Sequence, residues 1–537
     1  MVSTELIPAR KRAAAPAGGE PPLPRPPTDE ERDLYLGPQR RWVTFLSFLG
    51  SVLTIISVLY FVANRLWAAF LLVPLAVSAA GALASLATSL RPRRDSLASH
   101  RTAVERWRPA VLPSVDVFLP TAGESLVVLE NTFSHVARLR WGGGLTILVL
   151  DDSGRGSVRA LAGRYGFEYL SRPDRGHLKK AGNLRYGYDN SRGDLIAIFD
   201  ADFVPRPDYL YELAPYFDEA DVGIVQSPQF FDVDKRMNWV QYAAGSTQIL
   251  FYRWIQAARD ASDAAICVGT CALYRRTALE AAGGFAAIGH SEDVHTGINA
   301  MAAGYRVRYV PTVVSKGLCP DRLDHFVTQQ YRWCTGSMSL LLDRRFHALR
   351  MTKMQRLSYW SGFLYYVSTA LDVFVLAVPP ILLGVFAPAQ VQVRNYIFVL
   401  LALVVRQSVV PLITLGRDSL VSLTRIQTTY AFAHAVALVD ALRGRTDAWV
   451  ATGAATSSPT SARVIRLVRV WLATTQLVLW SVVAWRAPTY GWTSYAPVAF
   501  FAALSLLVVF PIARGRMELP RIVDPMTARR QFAGVLQ

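Results

Sequence analysis

Two acidic pairs give the sequence its clearest chemistry. Asp151-Asp152 closes the apolar run LTILVLDD at 145–152, and Asp200-Ala201-Asp202 closes DLIAIFDAD at 194–202. A hard divalent cation such as Mg²⁺ takes one or two carboxylates and completes its shell with water and phosphate oxygens. An acidic pair at a strand end therefore suits a nucleoside diphosphate. By itself a D-x-D is a short pattern that also arises by chance or as a helix cap. Lys179 or Lys180 and Asn183, in HLKKAGN, could add contacts to that diphosphate or form a solvated basic turn.

These residues need elements to place them. Short apolar runs recur between helical stretches: VDVFLP at 115–120, LTILVLDD at 145–152, DLIAIFDAD at 194–202 and GIVQSP at 223–228. That pattern predicts a parallel sheet within an α/β domain. In open α/β sheets ligands bind beyond the carboxyl ends of the strands, where both acidic pairs fall.

The rest of the chain predicts a membrane protein. Of 537 residues 52% are hydrophobic and 18% charged, a balance uncommon in soluble enzymes. The net charge of +17 admits nucleic acid, an anionic membrane face or a phosphorylated substrate. Nucleic acid is not expected as a partner, because it leaves the ordered strand-end Asp pairs unexplained. The four cysteines are too few for a disulfide framework. Cys267 and Cys271 resemble half a zinc site, but no second Cys or His pair follows at the usual spacing, so packing is the expected role.

Residues 1–41, with PPLPRPP at 21–27, lack apolar periodicity and are expected to form a disordered cytoplasmic tail. Apolar runs Trp42–Ala63 and Leu66–Leu90 predict a transmembrane hairpin over 42–90. Residues 91–350 turn polar enough for a cytoplasmic domain. Residues 351–513 carry further runs at Tyr359–Phe386, Asn395–Leu415, Leu467–Trp485 and Tyr495–Ala513, giving six passes. The shorter run Tyr430–Leu442 predicts an interfacial helix within 417–447. Arg40, Arg41, Arg91, Arg93, Arg94, Arg514, Arg516 and Arg521 place both termini, including a tail over 514–537, in the cytoplasm. Asp372 and Arg406 fall within apolar runs, where charges line a polar path or pair with each other.

One ordered set of motifs carries a resemblance. LDDSGR at 150–155, KAGN at 180–183, FDADFVP at 199–205, VQSPQFF at 225–231, GTCALYRR at 269–276, SEDVHTG at 291–297 and QQYRW at 329–333 together resemble the processive family 2 glycosyltransferases, above all the bacterial cellulose synthase catalytic subunit. The resemblance spans roughly residues 42–450. It implies an α/β domain of the glycosyltransferase A type inserted in an all-α transmembrane bundle, with UDP-glucose as donor and a growing β-glucan as acceptor.

The resemblance also implies roles. Asp151 or Asp152 would hold the uridine. Asp200 and Asp202 would hold the diphosphate through Mg²⁺ or Mn²⁺, with Lys180 beside them. Asp293 would be the general base, Gln329 and Trp333 would bind the acceptor sugar, and Arg332 the pyrophosphate. Gly269 and Thr270 would let the acceptor approach closely.

The chemistry agrees with these roles. Displacing UDP builds negative charge on the leaving group, which a cation and the forked donors of an Arg stabilise. The acceptor hydroxyl is barely acidic and needs a carboxylate to take its proton. Glu292 and Asp293 could instead cap the following helix, and His295 could serve structure as readily as catalysis.

Two family features are not expected. Only about 24 residues follow the last apolar run, too few for the family's cyclic-dinucleotide-binding domain. Trp449-Val450-Ala451-Thr452-Gly453 poorly matches its gating loop. Lipid bilayer and accessory export proteins are expected partners. The alternatives are a non-processive transferase acting on a lipid carrier and a chitin- or hyaluronan-like synthase using UDP-GlcNAc.

Overall fold

A computed structural model describes residues 23–37, 41–231, 238–375, 378–392, 420–445 and 458–514, with a few isolated positions from 397 to 409. Ten strands are present among these: β1 Val115–Thr121, β2 Leu145–Asp151, β3 Glu168–Leu170, β4 Leu195–Ile198, β5 Phe203–Pro205, β6 Val222–Gln226, β7 Phe230–Phe231, β8 Ala272–Arg275, β9 Arg306–Tyr309 and β10 Ser315–Gly317. Seven form one sheet in the order β3-β2-β1-β4-β8-β6-β9, and β5-β10-β7 form a smaller one.

Both faces of the large sheet are buried, which is why its strands read as continuous apolar runs. Successive side chains along a strand point to opposite faces. Thus Val117, Leu119, Val149, Ala197, Phe199, Val225 and Leu273 join one core. Phe118, Leu148, Leu150, Ile196, Ile198, Ile224 and Tyr274 join another.

β1 pairs in parallel with β2 and β4, with Thr121 opposite Asp151 and Phe118 opposite Ile198. The carboxyl ends of β2 and β4, each followed by an acidic pair, therefore open on one edge. The sheet departs from the all-parallel expectation at β8, which runs antiparallel to both β4 and β6. The reversal is functional in effect, because the loop entering β8 arrives at the end of β4: Cys271 N donates to Ile198 O at 2.9 Å. Gly269 and Thr270 are thereby set beside Asp200.

The described part of the amino-terminal segment, expected to be disordered, is ordered. Residues 23–37 lie as a strap across the domain. Thr28 and Glu31 form a reciprocal cap on the short helix Asp29–Arg32. Asn131 Nδ2 donates to Pro24 O at 3.0 Å, Arg206 Nη1 to Pro27 O at 2.7 Å, and Val313 N to Arg32 O at 2.9 Å. Lys316 on β10 pairs with Glu31 at 2.6 Å. Tyr35 is 1% exposed and meets Phe230 with ring centroids 5.7 Å apart. Proline fixes backbone angles in advance, so the segment docks through carbonyls, one tyrosine and charges, with no need of apolar periodicity.

Among the described residues four helices are long and apolar enough to cross a membrane: Trp42–Asn64, Leu66–Ser89, Lys353–Phe386 and Pro459–Tyr490. Helix Trp492–Arg514 follows, apolar over Trp492–Leu507. Most of the run expected at 395–415, with Arg406, lies outside the described residues, as do 449–453. Helix Leu420–Leu442 covers the expected interfacial segment. Its Asp440 accepts from Tyr331 hydroxyl at 3.1 Å and from Arg463 Nη2 at 2.9 and 3.0 Å, tying together three helices.

Buried charge ties the loop after helix Leu66–Ser89 to the sheet domain. Arg308 on β9 donates to both oxygens of Asp95, at 2.7 and 2.8 Å, and to Asp260. Arg259 Nη1 reaches Ser358 O, on helix Lys353–Val375, at 2.7 Å.

Candidate active site

The site is assembled at the carboxyl ends of β2 and β4. Lys180, at the start of helix Lys179–Asp189, pairs with Asp200 and donates to Gly269 O at 2.9 Å. It also lies 4.0 Å from Glu292. Asp200 N donates to Thr270 Oγ1 at 2.9 Å. Burial opposes the charge on Lys180, but Asp200, Glu292 and Asp293 outweigh it and raise its pKa.

Carboxylates crowd this ammonium. Asp202 is pushed up to about 7 by burial and by the charges of Asp200 and Glu124. Asp293, on helix Glu292–Ala302, is pushed up to about 7 by burial and Glu292, against the pull of Lys180 and Arg332. A pKa near neutrality suits a group that takes a proton during turnover. Burial lowers the Arg332 pKa, while Glu292, Asp293 and Asp200 work in the opposite direction.

Helix Leu323–Leu342 carries Gln329, Arg332 and Trp333. Spacings of three and four residues put them on one face. All three are half-buried.

Asp151 and Asp152 are organised differently. Asp151 is fully buried. It accepts from Thr121 Oγ1, Ser153 N, Ser153 Oγ, Arg155 N and Tyr169 hydroxyl. Burial would raise its pKa, but these donors hold it below the usual carboxylate value. A carboxylate offers about four lone-pair sites, so Asp151 is saturated by the protein. Asp152 is bound by Arg172 at 2.7 and 2.9 Å and by Gly176 N at 3.2 Å. Asn183 is buried and donates to Leu150 O at 2.7 Å, so it anchors its helix to β2 and is not poised for a diphosphate.

Backbone strain gathers here. Among the described residues the non-glycine positions with positive φ are Leu178, Lys179, Asp263, Cys271 and Ser291. All but Asp263 lie within two residues of a site residue. Such conformations persist where surrounding structure enforces them.

Sequence reasoning assigned no role to Glu124, Gln226 or Gln229. Glu124, in the loop after β1, is half-buried; desolvation raises its pKa, and the charge of Asp200 adds to the rise. Its position just past a strand end was the available signal. Gln226 Nε2 donates to Thr270 O at 2.9 Å, its Oε1 accepts from Val268 N at 3.0 Å, and Gln229 Nε2 donates to Val268 O at 3.0 Å. The VQSPQFF motif thus shapes the 268–271 loop.

His295 Nε2 meets Ser339 Oγ at 3.1 Å, a structural bond between two helices. The four cysteines are buried free thiols, and Cys267 Sγ lies 3.0 Å from Tyr274 hydroxyl.

Among the described residues no three His, Cys, Asp or Glu side chains converge as a ready metal cage. Two carboxylates completed by phosphate and water remain a suitable Mg²⁺ or Mn²⁺ donor set, and the crowding that raises Asp202 is what a cation would relieve.

Acidic groups, a lysine and an arginine gathered at the strand ends lie where open α/β sheets bind their ligands. Residues 195–413 match the family model described as Glycosyl transferase family group 2. The chain is 33% identical over 260 residues to a cellulose synthase catalytic subunit (UDP-forming) of Xanthomonas axonopodis pv. citri (strain 306), covering 47% of this chain and 36% of that one. It is 31% identical over 280 residues to cellulose synthase 1 of Komagataeibacter xylinus, covering 51% and 18%. The match therefore spans little more than a third of these relatives at most. A solved mannosyltransferase from Pyrobaculum calidifontis, in complex with GDP-Man and Mn²⁺, has 16% identity and a TM-score of 0.47, covering 70% of this chain and 99% of that one. Over residues 195–413 the chain thus matches the family 2 glycosyltransferase model, and over about half its length it is similar to cellulose synthase catalytic subunits.

Proposed function

We propose that the chain is an inverting, processive transferase of the bacterial inner membrane that moves glucose from UDP-glucose onto a growing β-glucan and passes the polymer into its transmembrane helices. The observation carrying this reading is the convergence of Lys180, Asp200, Asp202, Asp293 and Arg332 at the strand ends, on a chain similar to UDP-forming cellulose synthases.

Asp200 and Asp202 would hold Mg²⁺ or Mn²⁺, which when bound supplies positive charge to the leaving diphosphate. Lys180 and Arg332 add donors to the same oxygens, and their effect grows as the sugar–phosphate bond breaks. Asp293 accepts the proton of the attacking hydroxyl. Gln329 and the flat face of Trp333 hold the acceptor sugar, and Gly269 and Thr270 leave it room. Asp151 and Asp152 act on the uridine through the loop they brace, since their oxygens already accept protein donors.

The test is incubation of membranes with radiolabelled UDP-glucose and Mg²⁺, followed by linkage-specific digestion. A long β-glucan is the expected product. A single sugar on lipid, or incorporation from UDP-GlcNAc alone, would replace this reading.

A further inference from the structure

The helices bearing Asp293 and Arg332 meet at a contact with no spare room. Gly336 is buried one turn beyond Arg332 on helix Leu323–Leu342. A Cβ there would stand 1.9 Å from Ser291 Oγ and 2.5 Å from Ser291 Cβ. Rotation about χ1 moves only the serine hydroxyl, because Cβ stays where the backbone puts it. A side chain at 336 must therefore displace the Ser291 backbone.

That backbone is already unusual. Ser291 has φ 50° and ψ 41° at the start of helix Glu292–Ala302 and makes no side-chain cap. Its left-handed turn sets the direction in which the helix leaves, and Asp293 follows two residues later. Asp293 is also confined at Gly269, where an added Cβ would stand 2.9 Å from Asp293 Cβ and 3.0 Å from its Oδ2. One turn further along each helix, His295 and Ser339 make a second link. The two helices are thus linked at these two points and through a shared apolar cluster, and the glycine contact is one with no room for an added side chain.

The geometry points to Gly336 as a positioning residue for transfer: acting through Ser291, it sets where the Asp293 carboxyl stands relative to Arg332. This rests on the reading of Asp293 as the base. Gly336 touches no reacting atom, so its loss acts on catalysis more than on donor binding.

The test uses the full chain in detergent or nanodiscs with UDP-glucose and Mg²⁺. Gly336→Ala should lower kcat by about 10- to 100-fold, the scale of a misplacement near 1 Å, while KM and UDP affinity stay within about twofold. Adding Ser291→Gly should restore kcat to within about threefold of wild type, because glycine removes the opposing Cβ and adopts the left-handed turn freely. A wild-type kcat in Gly336→Ala overturns the inference, as does a loss that Ser291→Gly does not restore. Should Gly336→Ala fail to fold, recovery of folded, active protein in the double variant supports the contact, and failure of both variants overturns it. A wild-type chain that releases no UDP removes the functional reading and this inference together. An active wild type with an indifferent Gly336→Ala removes this inference alone.

Discussion

Asp293 and Asp202 share a raised pKa near 7 but are proposed to have different tasks. In its proposed role as base, Asp293 would act only when ionised, so transfer should decline as pH falls below about 7. Asp293→Asn should abolish sugar transfer and leave UDP binding intact, checked by product counting beside calorimetry; retained transfer would exclude it as base. Asp202→Ala should remove the divalent-ion dependence of UDP binding, and unchanged affinity in the presence of metal would contradict its role. Without metal, the folded chain keeps a proton on Asp202 that the unfolded chain releases above the ordinary value of 3.8. Stability present at low pH is therefore lost as pH rises from there to about 7. Asp202→Asn should raise the melting temperature at pH 8 in EDTA by several degrees, with a gain that shrinks on acidification.

At the scale of elements, the strap and the reversed strand mark the limit of what periodicity can reveal. β1, β2, β4 and β6 were legible because burial on both faces leaves continuous apolar runs. The acidic pairs were legible because those runs end on them. β8 was harder to read, since Ala272–Arg275 is four residues long and its direction depends on the positive φ of Gly269 and Cys271. The ordered strap was hidden by its proline-rich composition, its grip coming from backbone carbonyls and from partners more than 100 residues away. Nor could spacing foretell that Asp151 would be saturated, because Tyr169 and Thr121 reach it from neighbouring strands. Tyr35→Ala should destabilise the sheet domain by about 3–5 kcal/mol, the range for deleting a large buried aromatic side chain. Denaturant unfolding would measure it, and an unchanged midpoint would show that the strap contributes nothing to stability.

For the whole molecule, a crossing by Trp42–Asn64 and a return by Leu66–Ser89 would bring the chain back to the side from which it started. By the positive-inside rule the arginines at 91, 93 and 94 would make that side the cytoplasm. A topology reporter inserted after Arg65 should read periplasmic and one after Arg94 cytoplasmic; the same reading at both sites would undo the hairpin. Asp95, six residues past helix Leu66–Ser89, is held to the sheet domain by Arg308, which also meets Asp260, all three buried. Removing the arginine from such a group leaves buried carboxylates uncompensated, typically at a cost of about 3–5 kcal/mol. Arg308→Ala should accordingly lower the unfolding midpoint more than Asp263→Ala, whose pairing with Arg94 is partly exposed.

The burial of all four thiols has a practical consequence. Alkylating dyes should pass the native chain by while it remains folded. A single cysteine introduced on its surface would then report alone, so distances and motions can be followed by spectroscopy without first stripping the natural sulfur from the protein.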